Sequence, residues 1–120
     1  MSTQDTCVTI HPYFKVAEGK LGQFKSLCEE LVEKTNNEPM CLYYGVSFDG
    51  DLAFVREGYQ NAKGLIDHLE NAGDLIGRAL EISDLVRIEV HGAEDQLNQL
   101  HDPLASLNPQ YFVLEYGFRR

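Results

Sequence analysis

Asp49-Gly50 separates two alternating runs, and this arrangement limits the fold more tightly than any other feature of the chain. Cys41 to Phe48 and Leu52 to Tyr59 each carry the period of a strand. Asp and Gly both tolerate positive φ, so the pair predicts a type I′ hairpin turn between them. In the first run Leu42, Tyr44, Val46 and Phe48 share one side, with Cys41, Tyr43 and Ser47 on the other.

A strand and a helix are predicted on each flank of that hairpin. Cys7 to Val16 alternates Val8, Ile10 and Phe14 against Thr9, His11 and Tyr13. Pro12 has no N–H to donate, so a bulge or a gap in pairing is expected there. Gly19 opens a helix over 20–35, whose stripe of Leu21, Phe24, Leu27, Cys28, Leu31 and Val32 ends at Asn36-Asn37-Glu38-Pro39. Beyond the hairpin, Ala62, Leu65, Ile66 and Leu69 form a second stripe. Asn71-Ala72-Gly73 is expected to end or kink that helix, and Asp74 to cap a further piece reaching about Ile82. A fourth strand follows over 85–91, with Val86, Ile88 and Val90 set against Arg87, Glu89 and His91. A short helix over 94–100 and a last strand over 111–118 complete the chain.

The order β-α-β-β-α-β, with its appended helix and strand, implies an α+β domain spanning residues 1–120. Right-handed crossovers make it a ferredoxin-like antiparallel sheet with both long helices on one face. The helix-side face is apolar. The other face carries Thr9, His11, Tyr13, Cys41, Tyr43, Ser47, Arg87, Glu89 and His91, too aromatic for plain solvent and too polar for a second core. Such a surface suits a subunit interface, so a homodimer is expected.

Composition narrows the partners. A formal charge of −9 opposes nucleic acid and anionic membranes, both of which need a basic footprint. No run approaches the roughly 18 apolar residues of a membrane span. The polar start, Met1 to Thr6, lacks the pattern of a secretion signal, and three cysteines without CxxC spacing suit reduced thiols; a cytoplasmic protein is expected. No dinucleotide, P-loop, HExxH or GxSxG pattern occurs.

The segment Glu38-Pro39-Met40-Cys41-Leu42-Tyr43-Tyr44, the strand Phe54-Val55-Arg56-Glu57-Gly58-Tyr59, and His68-Leu69 together resemble the antibiotic biosynthesis monooxygenase domain. The resemblance implies a dimeric α+β barrel in which two sheets face each other. It also implies a cofactor-independent monooxygenase acting on a quinol or a phenol-like compound. The alternative is a non-catalytic module that binds a small apolar ligand. Haem-degrading relatives use an iron-ligating His further along the same helical segment. Here that region is Arg78-Ala79-Leu80, so neither haem nor a metal is expected as cofactor.

Two residues are candidate proton-handling groups. His68, at the edge of the stripe formed by Leu65, Ile66 and Leu69, suits proton exchange with a phenol. Glu57 lies in a strand, where a carboxyl must be paired or neutral; Arg56, Arg78 and Arg87 are its candidate partners. Tyr44, facing the helices, is a candidate to orient a substrate, with Tyr59 and Arg78 beside it. His11, His91 and Glu89 share the outer face, where polar contacts across a subunit seam are expected rather than a metal. Cys28 reads as core, and Cys41 has no cationic neighbour in sequence to activate it.

Overall fold

A computed structural model describes residues 4–120, so Met1 to Thr3 of the polar start lie outside the described residues. The elements run β1 (Val8–Val16), α1 (Leu21–Thr35), β2 (Cys41–Asp49), β3 (Leu52–Tyr59), α2 (Ala62–Glu81), β4 (Ser83–Gly92), α3 (Glu94–Asn98), a 3₁₀ turn (Ala105–Leu107) and β5 (Gln110–Val113). The sheet order is β2-β3-β1-β4-β5. The first four strands pair antiparallel in the ferredoxin-like arrangement, whereas β5 joins β4 in parallel and makes the sheet mixed. Among the described residues no helix is long and apolar enough to cross a membrane.

Several local expectations need correction. Asp49 pairs with Leu52, so the two-residue loop is Gly50-Asp51, one position later than expected. Only Gly50 has a positive φ, 60°, and glycine first in the pair is the type II′ arrangement. The long helix α2 is continuous through Asn71-Ala72-Gly73. Gly73 is exposed there, and Ala72 packs in the core on the opposite side, so tertiary burial outweighs glycine's weak local propensity.

Two bulges alter which side chains face inward. The register of β1 with β4 shifts between Tyr13 and Phe14, leaving Val86 as the extra residue. Val86 is accordingly 57% exposed instead of facing the helices. The β2–β3 register shifts between Cys41 and Tyr43, which puts Leu42 at the bulge and turns Cys41 to the helix side, against Tyr59 and its neighbours. At Pro12 the ladder to β4 continues, while the β3 ladder is interrupted between Ile10 and Tyr13. The missing N–H therefore falls in the gap.

Two apolar clusters fill the space between sheet and helices. One packs Phe14, Phe24, Leu31 and Val55 with Ala72 and Leu75. The other packs Val8, Ile10, Tyr59 and Leu65 with Val90 and Leu104. The first helical turns of α2 lie unusually near β2 and β3. A Cβ added at Gly64 would stand 3.0 Å from Met40 Cβ and 3.1 Å from Tyr59 Cβ. Asn61 caps this end by accepting from Gly64 N at 3.0 Å, and buried Gln96 accepts from Ala62 N at 2.8 Å. Fixing that end places the next turn of α2 over β2 and β3, where His68 meets Tyr44 and Glu57.

Candidate active site

Four residues after Gly64 comes His68, only 2% exposed and on the inward face with Leu65, Ala72, Leu75 and Ala79. It sits within the buried stripe and not at its edge. The stripe's centre is set by small residues, Ala72 and Ala79, which contribute little to a count of large apolar side chains.

Beneath His68, Glu57 of β3 is 5% exposed on the helix side of the sheet. Within the chain none of the three expected arginines pairs with it. Arg87 bonds Glu89 at 2.6 Å, Arg56 lies over the Tyr43 ring, and Arg78 is exposed beside a separate groove containing Glu30 and Glu81. Instead the Tyr59 hydroxyl donates to Glu57 Oε1 at 2.7 Å, and His68 Nε2 stands 3.5 Å from that oxygen. The rings of Tyr44 and Tyr59 lie 5.5 and 5.3 Å from His68.

The other edge of His68 meets a residue that the sequence reading did not single out. Nδ1 lies 2.9 Å from Oε2 and 3.1 Å from Oε1 of Glu38. Asn71 Nδ2 donates to Glu38 Oε2 at 2.8 Å, which fixes the carboxylate from one turn further along α2. A carboxylate only accepts, so Nδ1 carries the hydrogen and the Nε2 lone pair points at Glu57. Glu38 belongs to the segment that stops α1, and its sequence signal is that of a turn. The one available hint was its place at the head of the Glu38-Pro39-Met40-Cys41 resemblance.

Burial dominates the electrostatics. Desolvation pushes the Glu57 carboxyl up from 4.5 to about 8; the Tyr59 hydrogen bond opposes the rise and the Glu38 charge adds to it. Desolvation also lowers the His68 imidazole, against the pull of Glu38. The site at neutral pH therefore holds a protonated Glu57 beside a neutral His68. Burial raises the Tyr44 and Tyr59 hydroxyls, so both stay neutral donors.

Tyr44, Glu57 and His68 line one cavity of about 60 Å³, whose remaining wall is apolar and includes Ile10, Leu69, Ile76, Leu85 and Leu107. That volume admits several water-sized groups, and a larger molecule must part the half-buried Leu69, Ile76, Leu80 and Leu107. Tyr59 is buried in the adjoining cluster and reaches the cavity through Glu57. The site thus combines a buried acid, a neutral imidazole and phenolic donors in apolar surroundings, a set suited to moving protons on a bound small molecule. Among the described residues no group of three or more His, Cys, Asp or Glu is placed to hold a metal ion.

With this geometry in view, the likeness to known structures becomes specific. The crystal structure of MupZ from Pseudomonas fluorescens superposes over 100% of this chain and 94% of its own, with TM-score 0.94 and 42% identity. The chain belongs to the MupZ family. A crystal structure of an antibiotic biosynthesis monooxygenase matches 69% of the chain and 92% of its own length, with TM-score 0.61 and 22% identity. A conserved protein from Methanosarcina mazei Go1 matches 72% and 91%, with TM-score 0.67 and 21% identity. These two show the fold alone, and it is the antibiotic biosynthesis monooxygenase fold. No protein-family model and no curated protein matches the chain.

Proposed function

We propose that this protein is an enzyme that moves protons on a small, largely apolar molecule held between the sheet and α2. The reaction that its fold favours is cofactor-independent monooxygenation of a quinol or phenol-like compound. One observation carries the reading: Glu57, His68, Glu38 and Tyr59 form a buried chain of polar groups beside an apolar cavity. Neutral His68 would take the phenolic proton at Nε2, which stands 3.5 Å from Glu57 and is not held by a hydrogen bond to it, and Tyr44 would orient the substrate oxygen. A substrate anion can then reduce oxygen itself, so the protein need supply only a dry pocket and proton-handling groups. Quinols and hydroxynaphthalenes are the assay substrates. Oxygen uptake is expected, falling at least tenfold in His68→Ala, and an unchanged rate would remove His68 from the mechanism.

The raised Glu57 favours a second reading, in which a protonated acid assists a reaction that consumes no oxygen. Turnover that persists under argon would select it. Ligand-induced thermal stabilisation with no turnover would instead select the non-catalytic binding module.

We also propose that a second copy covers the open sheet face. There Phe54 lies 4.8 Å from Tyr13 and 5.9 Å from His11, while His91 stacks on Phe112 at 4.6 Å. Native mass spectrometry is expected to show a dimer, and replacing Phe54 and Phe112 with Ser to yield monomer. A wild-type chain that stays monomeric at micromolar concentration would overturn this assembly.

A further inference from the structure

The groups that handle protons in the cavity are buried, yet a catalyst must exchange protons with water. Glu38 occupies the boundary. On one side its carboxylate accepts from His68; on the other it lines a surface cleft of about 260 Å³, with Asn37, Pro39, Met40, Asp67 and Asn71. That cleft is separate from the apolar cavity, and the two are joined through the His68 imidazole. Asp67 in the same cleft is engaged by Lys63 at 2.9 Å, whereas Glu38 is directed inward by Asn71.

We propose that Glu38 and His68 form a proton path from the surface cleft to Glu57, with Asn71 as the residue that holds Glu38 in line. In the outward direction the Glu57 O–H bond breaks as an N–H bond forms at His68 Nε2. The Nδ1–H bond breaks as an O–H bond forms on Glu38, which releases the proton to water in the cleft. The inward direction reverses each step and restores the ring to its starting form, so a proton leaves in one half of a reaction cycle and returns in the other. The Nε2 to Oε1 separation of 3.5 Å must shorten to hydrogen-bonding distance of about 3 Å for transfer.

This path rests on the proposed proton-transfer role of the site, but its test needs no substrate. In protein labelled with ¹⁵N at histidine, the Nδ1 hydrogen of His68 can be followed by its exchange with water, His68→Gln identifying the signal. Glu38→Gln keeps an oxygen that accepts from Nδ1 but cannot readily take up the proton. Exchange is expected to slow at least tenfold in that variant while the ¹⁵N shifts keep His68 in the Nδ1–H form. Asn71→Ala should slow it too, by freeing Glu38 to turn to solvent, and it serves alone if Glu38→Gln does not fold. Exchange at the wild-type rate in the folded variants would overturn the path. Loss of turnover in His68→Ala alongside unchanged exchange in Glu38→Gln would leave the enzymatic reading standing without this route.

Discussion

The two faces of the sheet each carry a histidine beside a glutamate, and the two pairs behave oppositely. On the open face Glu89 bonds His91 at 3.0 Å and Arg87 at 2.6 Å, and these hydrogen bonds hold its carboxyl below the usual range. On the helix face Glu57 stands beside His68 with no arginine, and burial pushes it up to about 8. Identical residue types thus hold a lowered carboxyl in one place and a neutral acid in the other. The difference teaches that burial without a cation alongside, and not the residue type, decides which glutamate can donate a proton at neutral pH.

The largest expected effect follows from that contrast. An acid whose pKa is raised in the folded state binds its proton more tightly there than when unfolded, so stability falls as pH rises from 4.5 towards 8. At about 1.4 kcal/mol per pH unit, the penalty at pH 7 is of the order of 3 kcal/mol. Glu57→Gln keeps an acceptor for Tyr59 and removes the titration. It should therefore melt on the order of 10 °C higher at pH 7, with the gain vanishing below about pH 4.5. Glu89→Gln should show the reverse sign: the contribution of Glu89 is present above the ordinary carboxylate range and lost as pH falls through its lowered value. Thermal melts from pH 4 to 9 decide the matter. Equal pH profiles for the two variants would break the comparison.

This contrast also explains what could be read from the sequence. Alternation placed Tyr44 on the helix side, because period 2 survives wherever the strand is unbulged. It failed at Val86 and Cys41, where an extra residue reverses the parity, and single bulges leave no reliable mark in a run of apolar residues. Glu57 was legible as a carboxyl needing a partner, yet its partners were not. Tyr59 is local, but His68 and Glu38 come from 11 and 19 residues away along the chain. Arg78 was singled out for its charge, yet it is exposed and lines a groove with Glu30 and Glu81, away from Glu57. Glu38 is the instructive omission: an acidic residue before a proline reads as a helix stop, and only the packing of α2 turns it inward against His68.

A second effect, of about 1–3 kcal/mol, is expected from Gly64→Ala. The added Cβ would press on Met40 Cβ, on Tyr59 Cβ and, at 3.3 Å, on the Met40 carbonyl oxygen. Backbone cannot swing aside, so α2 must lift from the strands and carry His68 away from Glu57. The urea midpoint should drop, and the ¹⁵N shifts of His68 should move even at pH values where the protein stays fully folded. A variant with wild-type shifts and stability would show that the close approach of α2 does not set the site.

The smallest effect belongs to the open face, at Gly58, and it sharpens the comparison because its contact is the tighter of the two. A Cβ there would stand only 2.3 Å from the Tyr43 ring, against 3.0 Å for the nearest contact at Gly64. Distance alone would rank Gly58→Ala as the more damaging change. The obstructing atoms, however, are the far end of a side chain that is 39% exposed, and the ring can rotate into solvent. Alanine also narrows the unfolded ensemble, a gain of about 0.4–1 kcal/mol that offsets the lost contact. Gly58→Ala should therefore change stability by no more than about 0.5 kcal/mol in urea titrations of the isolated subunit, well short of the Gly64 effect. Within an assembled dimer the displaced Tyr43 ring would meet whatever covers that face, so the same substitution should weaken association more than folding. A loss of monomer stability as large as that of Gly64→Ala would mean that the open face is packed as rigidly as the core.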